Sequence, residues 1–477
     1  MYRLLRRFAL PAVLLVVLAF GTYKLTESPA IWGDEGLILE LAVNLARHGK
    51  MMSQIAPGAY VSGAFMTTGF PVIYPVTASF KLFGIGLLQA RAVMVVYMLL
   101  IAGIVFLFAQ KRFGARQAVF ASLLVATFPP LYANGKNVLG EIPGLFFLIL
   151  FLWFVDRLES SEHKRPSDWL LAGLAAGLCL VTKPVFLTLL PAIIGGAILA
   201  RKKIHWDARS WILASIGLLL PILVWLQTQF FPGDSVRDIL SMYANPYQLD
   251  DIAAVIRTNV LRFVTESVPI YLLAVMGVWS FAIVPKLWKR QASLAESVAY
   301  AFCGLILIAY LRTPGWYRYF FPAQIISFIF LPASLEKLAE QLKRFVSWKY
   351  AAYIAAIPLS ALILFQAYQT AFHSWVANTY ASTMTRDLKE YFDAFDPTKS
   401  IYVVPEVIVF LPNANYYHYI YVVGFTFGDE EALGAVKKGI PDFLITYSHI
   451  WDAPENPYPL YEERTRIGRY VIAERSR

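Results

Sequence analysis

The fold is decided by residues 92–109, which read AVMVVYMLLIAGIVFLFA and contain no charged side chain. A transmembrane helix needs about 20 mostly apolar residues to cross a hydrocarbon core of roughly 30 Å. Apolar blocks of similar length recur from Phe8 to Tyr368, and each is bounded by charged residues or by Gly and Pro. The sequence therefore predicts a mainly α-helical, polytopic bundle that spans a membrane.

The composition supports this class of protein. Hydrophobic residues make up 58% of the 477-residue chain and only 16% are charged, which differs from a soluble domain. The net charge of +10 does not indicate nucleic-acid binding, because the cations occur in short clusters between apolar blocks. Cys179 and Cys303 lie inside apolar blocks and the histidines are scattered, so we predict neither a disulfide framework nor a metal site. We also expect no cofactor, since the chain has no P-loop and no dinucleotide fingerprint.

The distribution of Lys and Arg predicts the orientation of the chain in the membrane. Arg3, Arg6 and Arg7 precede the first apolar run, which we interpret as an uncleaved signal anchor with a cytoplasmic N-terminus. By length we predict about eleven spans, near residues 8–22, 90–110, 117–134, 140–156, 168–182, 184–200, 211–231, 268–285, 295–311, 319–335 and 350–369. The inner connections then carry most of the cations, among them Lys111, Arg112, Lys164, Arg201, Lys202, Lys203, Lys286 and Lys289.

The C-terminal part of the chain has mixed charge and short turn-bounded segments. Ser400–Pro405, Asp442–Thr446 and Gly468–Glu474 are predicted strands, and Asp429–Lys438 is a predicted helix. We therefore divide the chain into a membrane domain, residues 1–370, and a small soluble α/β domain, residues 371–477. The threading of the spans places this second domain outside the cytoplasm.

Two segments between the spans need an interpretation of their own. The apolar block Phe70–Phe83 could be a further span, but it is short, contains Pro71 and Pro75, and would invert every later loop. We predict instead a helix that lies along the outer interface. The polar stretch Phe231–Glu266 is predicted to be an outer loop, by default with a solvated helix.

A first polar motif, Trp32-Gly33-Asp34-Glu35-Gly36, follows the first span. Leu37–His48 behind it has leucines on one face, which predicts an amphipathic helix at the membrane surface that ends at Gly49. The polar side chains of the opposite face are Glu40, Asn44 and His48. Asp34 has two compatible interpretations: it caps this helix, with Glu35 favoured by the helix dipole, or it is a reactive carboxylate.

Three further polar features fall on the same predicted side of the membrane. The turn Asn134–Pro143 contains Glu141, whose burial at the edge of a span is costly without a partner, and Lys136 is the nearest candidate partner. Lys183 lies between two apolar runs with almost no loop. The last turn offers two guanidinium groups and an interfacial aromatic: Arg312, Arg318 and Tyr319. Each feature also has an ordinary explanation, namely a helix end, a solvated loop and a membrane anchor.

These groups suit one kind of chemistry. A carboxylate outside the membrane can take a proton from an acceptor hydroxyl or amine, and fixed cations can hold a phosphate or diphosphate. A lipid-linked sugar phosphate already has an activated leaving group, so its transfer needs a base and phosphate stabilisation. A transporter or lipid flippase is the main alternative, but such proteins place ionisable groups near the midplane and often contain internal repeats. A purely structural subunit suits these outer cations poorly.

At these residues the chain resembles the membrane glycosyltransferases of the C superfamily, in the branch of the bacterial aminoarabinose transferases and protein mannosyltransferase-like enzymes. The motifs that carry the resemblance occur in order between residues 8 and 335: Asp34-Glu35 after the first span, Glu141-Ile142-Pro143, Val181-Thr182-Lys183 and Arg318-Tyr319-Phe320-Phe321-Pro322. Two positions depart from the branch. Thr67-Thr68-Gly69-Phe70-Pro71 has no lysine before its proline, and Glu141 stands where aspartate is usual.

The resemblance implies an inverting transfer of a sugar from a polyprenyl-phosphate carrier to an acceptor at the outer face of the bacterial inner membrane. By this resemblance, Asp34 is the base or acceptor-orienting carboxylate, and Glu141 is a second catalytic acidic residue. Lys183 and Arg318 are expected to bind the carrier phosphate. The full set of substrate-binding candidates is Glu35, Lys136, Lys183, Arg312, Arg318 and Tyr319, in which Glu35 is expected mainly to support the surface helix. Neither the sugar nor the acceptor is specified.

Overall fold

A computed structural model gives the fold of the chain. It describes residues 2–160, 165–200, 207–229, 237, 251–341, 348–374, 382–422, 425–427 and 429–476. The helices of the N-terminal and central parts are α1 (Tyr2–Thr22), α2 (Gly33–His48), α3 (Phe70–Phe83), α4 (Leu87–Phe113), α5 (Ala115–Ala126), α6 (Pro129–Gly135), α7 (Glu141–Ser160), α8 (Pro166–Thr182), α9 (Leu189–Leu199), α10 (Ala208–Gln229), α11 (Ile252–Thr265), α12 (Ser267–Trp288), α13 (Leu294–Tyr310), α14 (Phe321–Gln341) and α15 (Trp348–Tyr368).

Several of these helices can cross a membrane. Within the described residues, the segments long and apolar enough to do so are Leu87–Phe113, Ala208–Gln229, Ser267–Trp288 and Tyr353–His373. Helices α5 and α6 meet the same test together but are bent by 53°, where two prolines begin α6. Other predicted blocks form shorter apolar helices or helices with charged ends. The mainly helical membrane architecture is therefore confirmed, whereas the count of about eleven spans is not.

An ion-pair network joins the ends of four helices on the side opposite to Glu141. Asp156, in the last turns of α7, binds Lys111 at 3.0 Å and Arg112 at 2.7 Å. Glu296 binds Arg112 at 3.0 Å and Lys286 at 3.1 Å. At 1.5 Å per residue, this network lies about 20 Å along α7 from its first residue. Other predicted inner cations lie outside the described residues, namely Lys164, Arg201, Lys202 and Lys203.

Helix α2 confirms part of the predicted surface helix and corrects the rest. It ends where predicted, because Gly49 adopts a left-handed conformation (φ 69°) and its N–H bonds to the carbonyl of Leu45. Asp34 is not the N-cap; the helix begins at Gly33 and places Asp34 in the first turn. The polar face is not open at a membrane surface either, because Glu40 and Asn44 are fully buried.

A short hairpin and the start of α3 follow α2. The hairpin consists of β1 (Met52–Ala56) and β2 (Ala59–Ser62), paired antiparallel. Helix α3 occupies the predicted block Phe70–Phe83, with a proline in its first turn. Most of the predicted loop Phe231–Glu266 lies outside the described residues, but its last part forms α11.

The C-terminal part is an α/β module. Its strands are β3 (Ile401–Val403), β4 (Tyr416–His418), β5 (Ile420–Val422), β6 (Phe425–Phe427), β7 (Phe443–Tyr447), β8 (Tyr461–Ile467) and β9 (Tyr470–Arg475), and its helices are α16 (Met384–Asp393), α17 (Gly434–Lys437) and α18 (Ser448–Trp451). The main sheet has the order β4-β3-β7-β9-β8, with β3 parallel to β4 and β7, and β9 antiparallel to β7 and β8. All three predicted strands are present, and the domain boundary near residue 370 stays a prediction.

Candidate active site

Asp34 is the most exposed carboxylate of the candidate site. It lies in the first turn of α2, two residues after Trp32, and its side chain is 44% exposed. Its Oδ2 lies 2.8 Å from Nη2 of Arg318. The carboxylate is thus fixed by one charge-assisted contact and still reachable from outside.

Arg318 comes from a short helical turn, Tyr317–Tyr319, between α13 and α14. Its guanidinium is surrounded by three aromatic rings, whose centroids lie 4.8 Å (Trp32), 4.6 Å (Trp316) and 5.3 Å (Tyr319) away. The hydroxyl of Tyr319 also accepts a hydrogen bond from Nη2 at 3.3 Å. Such a cage stabilises a cation through the faces of the rings without using all of its N–H donors.

Helix α11 holds the turn that leads to Arg318. The buried side-chain amide of Asn259 donates to the backbone carbonyls of Tyr310, Leu311 and Thr313. Arg262 donates to the carbonyl of Gly315 at 2.6 Å, and Gly315 has a positive φ of 83° that suits glycine. These bonds satisfy carbonyls that follow the end of α13 and fix the backbone just before Arg318.

Glu141 and Lys183 complete the cluster. Glu141 is the first residue of α7 and is fully buried, and its Oε1 lies 2.6 Å from Nζ of Lys183 and 4.0 Å from Nε of Arg318. Lys183 has extended backbone between α8 and the turn Pro184–Thr188. Gly140 permits the approach, because a Cβ there would lie 3.1 Å from Cβ of Lys183.

The four side chains form a row of alternating charge: Asp34, Arg318, Glu141 and Lys183. Burial lowers the pKa of Lys183, and Glu141 opposes that shift. Burial also disfavours the charge of Arg318, but Glu141 outweighs it together with Tyr319 and Asp34, so the pKa of Arg318 is raised. Within the described residues, Nε and Nη1 of Arg318 and Oε2 of Glu141 are buried without a hydrogen-bond partner. The two N–H groups of Arg318 that have no partner are suited to bind an anionic ligand.

The structure does not bring Glu35 into this row. Glu35 is fully buried, and its two oxygens bind Nε and Nη2 of Arg91 at 2.9 and 2.6 Å. The N–H of Val138 donates to the same carboxylate at 3.0 Å. Arg91 in turn donates to the carbonyls of Leu25 and Pro29. The adjacent carboxylates of Asp34 and Glu35 therefore have separate environments, one partly exposed and one in the core.

Lys136 and Arg312 also lie apart from the row. Lys136 is not the partner of Glu141 that the sequence predicts; its buried ammonium donates to the carbonyl of Tyr23 at 2.7 Å. Burial, with a smaller contribution from Arg91, lowers the pKa of Lys136 to about 7. The side chain of Arg312 is exposed, and none of the contacts of the row includes it.

Sequence reasoning missed several residues that shape this site. Arg91 falls at the start of the predicted span 90–110 and was not singled out, although a lone arginine next to an apolar run can also pair inside the protein. Trp32 and Trp316 lie within quoted motifs, but nothing in the sequence distinguishes them from membrane anchors. Asn259 gave no signal. No group of three or more His, Cys, Asp or Glu able to hold a metal ion occurs in the part of the chain that the structure describes.

The chain can now be compared with known proteins. Residues 70–226 match the family model of dolichyl-phosphate-mannose-protein mannosyltransferases. No curated protein matches the chain. The fold resembles that of ArnT from Cupriavidus metallidurans bound to undecaprenyl phosphate, with a TM-score of 0.65, 14% sequence identity and 97% coverage of both chains.

A second group of similar structures comes from Archaeoglobus fulgidus. Its oligosaccharyltransferase in the apo form gives a TM-score of 0.60 at 13% identity, covering 93% of this chain and 70% of that one. AglB in complex with an inhibitory peptide and a dolichol-phosphate gives 0.57 at 12% identity, covering 94% and 70%. The predicted resemblance and the predicted enzyme class, a glycosyltransferase, are confirmed by these matches together with the family model. The chain has the fold of the C-superfamily membrane glycosyltransferases and resembles ArnT.

Proposed function

We propose that the protein transfers a sugar, with inversion, from a polyprenyl-phosphate carrier to an acceptor at the outer face of the bacterial inner membrane. The observation that carries the proposal is the row Asp34–Arg318–Glu141–Lys183, which joins a reachable carboxylate to two cations within a few ångströms. The ArnT structure with undecaprenyl phosphate and the AglB structure with a dolichol-phosphate support a carrier of this class.

The carrier phosphate binds at Arg318 and Lys183. Nε and Nη1 of Arg318 have no other hydrogen-bond partner among the described residues, so they are available to phosphate oxygens. Lys183 adds a second positive charge from the other side of Glu141. Both cations stabilise the negative charge that grows on the leaving phosphate as the bond to the sugar breaks.

Asp34 acts on the acceptor. Its exposed carboxylate takes the proton of the acceptor hydroxyl or amine, and the freed electron pair attacks the anomeric carbon from the side opposite to the phosphate. The bond between that carbon and the phosphate oxygen breaks, and polyprenyl phosphate leaves. One displacement of this kind inverts the configuration of the sugar. The contact with Arg318 orients Asp34 towards the reacting carbon.

Glu141 keeps the two cations in place before the donor arrives. It is fully buried and lies between Lys183 and Arg318, so it offsets the cost of burying both of them. Tyr319 orients Arg318, because its hydroxyl accepts a hydrogen bond from Nη2. We assign Glu35 and Lys136 to support of the outer segments, and Arg312 to the outer membrane interface. In this proposal the N-terminus is cytoplasmic, and the site and the C-terminal domain are extracytoplasmic.

The test uses the purified full-length protein in lipid nanodiscs with a panel of polyprenyl-phosphate sugars and with lipid, glycan and protein acceptors. We expect transfer by the wild type and mass-spectrometric detection of co-purified polyprenyl phosphate. Asp34→Asn should lower turnover by about 100- to 10,000-fold, the range for loss of a general base, and should leave carrier binding intact. Asp452→Asn is a matched control, because Asp452 is 50% exposed and pairs with Arg466 at 2.7 Å.

Two results would contradict the proposal. Normal turnover in Asp34→Asn would remove the base from the mechanism. Net movement of the intact lipid-linked sugar across the membrane, without cleavage of the sugar–phosphate bond, would instead indicate a flippase.

A further inference from the structure

One face of helix α2 carries four residues that the proposed mechanism does not use, and we call this face the stripe. Its members follow one another at helical spacing: Gly36, Glu40, Asn44 and Arg47. Residues three or four apart lie on one face of a helix. All four meet the C-terminal domain or the β1 hairpin that packs beside it, and so this face of α2 is an internal contact between two parts of the chain.

The stripe begins with a backbone contact. A Cβ at Gly36 would lie 2.4 Å from the carbonyl carbon of Pro405 and 2.5 Å from the backbone nitrogen of Glu406. Only glycine lets the two backbones come this close. The contact is two residues beyond Asp34, within the first helical turn.

Further along the stripe, hydrogen bonds replace the close packing. Glu40 accepts from the hydroxyl of Tyr416 at 2.8 Å and lies 3.4 Å from Nδ1 of His418, and all three side chains are fully buried. Arg47 donates to the carbonyls of Leu411 and Asn413 at 2.6 and 2.8 Å. Since buried polar groups need defined partners, these bonds fix both the position and the rotation of α2 against the domain.

One contact reaches the segment in front of the helix. Arg469, in the turn between β8 and β9, donates from Nη2 to the carbonyl of Ile31 at 3.0 Å and to Oε1 of Glu406 at 2.8 Å. Glu406 is buried, and the hydroxyl of Tyr447 donates its single proton to this carboxylate, with its oxygen 3.0 Å from Oε1 and 2.9 Å from Oε2. The ring of Tyr470 lies against the guanidinium at 5.2 Å. Arg469 is therefore held on one side by its own domain and holds the backbone of residue 31 on the other.

Ile31 immediately precedes Trp32, which covers Arg318, and lies three residues before Asp34. The membrane domain anchors the same segment as well, because Arg91 donates to the carbonyl of Pro29 and binds Glu35. Residues 29–35 are thus clamped between two arginines from distant parts of the chain. Neither arginine touches the row of charges.

From these contacts we infer that the C-terminal domain is a structural part of the active centre, and that Arg469, paired with Glu406, is a positioning residue for Asp34. The inference rests on the proposed function. Without the hydrogen bond from Arg469 to the carbonyl of Ile31, the first turn of α2 and the Trp32 ring lose their alignment with Arg318. A misplacement of roughly 1 Å at a reacting group can lower the rate about 100-fold.

The test compares variants of the full-length protein in nanodiscs. Arg469→Met alone leaves the buried carboxylate of Glu406 without its cation, so the main variant is Arg469→Met/Glu406→Gln, which leaves no unpaired charge. Arg469→Lys keeps the charge near Glu406 and should recover part of the activity. Arg464→Met is the matched control, because Arg464 lies on β8 of the same hairpin and pairs with Glu474 at 2.7 Å.

We expect the double variant to lower kcat about 10- to 100-fold with an unchanged dissociation constant for polyprenyl phosphate. Hydrogen exchange of the amides in residues 31–36 should accelerate several-fold in the double variant and not in Arg464→Met. The thermal transition shows whether the domain is still folded. Wild-type kcat in the double variant, or unchanged exchange at residues 31–36, would overturn the inference. A wild-type protein that transfers no sugar would overturn the proposed function instead, and the exchange measurement would still test the clamp.

Discussion

The separation of Asp34 from Glu35 gives the sharpest quantitative prediction. Glu35→Gln should lower the free energy of unfolding by about 3–5 kcal/mol, the usual cost of removing one partner of a buried ion pair. The structure supports the upper part of that range, because Glu35 and Arg91 are both fully buried and share two hydrogen bonds of 2.9 and 2.6 Å. Asp34→Asn should cost less, because the Asp34 carboxylate is 44% exposed and Glu141 still compensates the buried charge of Arg318.

A double-mutant cycle isolates the pair. Arg91→Met removes the cation, so Glu35→Gln/Arg91→Met leaves no unpaired charge and should be destabilised by less than the sum of the two single variants. It should still fall short of the wild type, because Arg91 also donates to the carbonyls of Leu25 and Pro29. The assay is reversible denaturant unfolding in mixed micelles, followed by circular dichroism. Equal destabilisation by Glu35→Gln and Asp34→Asn would refute the reasoning.

Three further predictions concern the rest of the site. Glu141→Gln should lower turnover and tighten binding of polyprenyl phosphate in a lipid-binding assay, because an anion that competes for Lys183 and Arg318 is removed; weaker binding would contradict this. Gly140→Ala should destabilise the protein by about 1–3 kcal/mol through overpacking and should displace Lys183, since a Cβ there would lie 2.9 Å from the carbonyl oxygen of Thr182 and 3.1 Å from Cβ of Lys183; thermal unfolding and titration with the carrier measure the two effects, and wild-type values in both would contradict this. Lys136→Met should stabilise the protein most at about pH 6 and less at about pH 9. The pKa of Lys136 is lowered to about 7, so above this pH the folded state binds fewer protons than the unfolded state and wild-type stability rises with pH. Thermal unfolding measures the stability difference between the variant and the wild type, and a difference that does not change with pH would disprove the prediction.

Much of the membrane part could be predicted from local sequence. Apolar blocks give helices because the backbone must satisfy its own hydrogen bonds in lipid, and α2 ends where Gly49 allows a left-handed turn. The order of Asp34, Glu141, Lys183 and Arg318 on one predicted side also anticipated that they meet. Their roles in catalysis stay predictions.

What could not be predicted depends on contacts between distant residues. Lys136 is closer in sequence to Glu141 than Lys183 is, but the pairing depends on which helix ends meet in the fold, and Lys183 makes it. Glu40 indicates a polar face, yet the sequence does not reveal that Tyr416 covers it. The count of about eleven spans stays a prediction, because bends such as that between α5 and α6 depend on packing.

The row of alternating charges has a consequence for turnover. Asp34 and Glu141 balance Arg318 and Lys183, so the four side chains together are formally neutral. A sugar phosphodiester brings one negative charge, whereas the monoester left after transfer carries up to about two near neutral pH. If the protein has the proposed function, we therefore expect the spent carrier to bind more tightly than the loaded one. We then also expect product release to limit the rate of the catalytic cycle, and added polyprenyl phosphate to inhibit competitively against the donor.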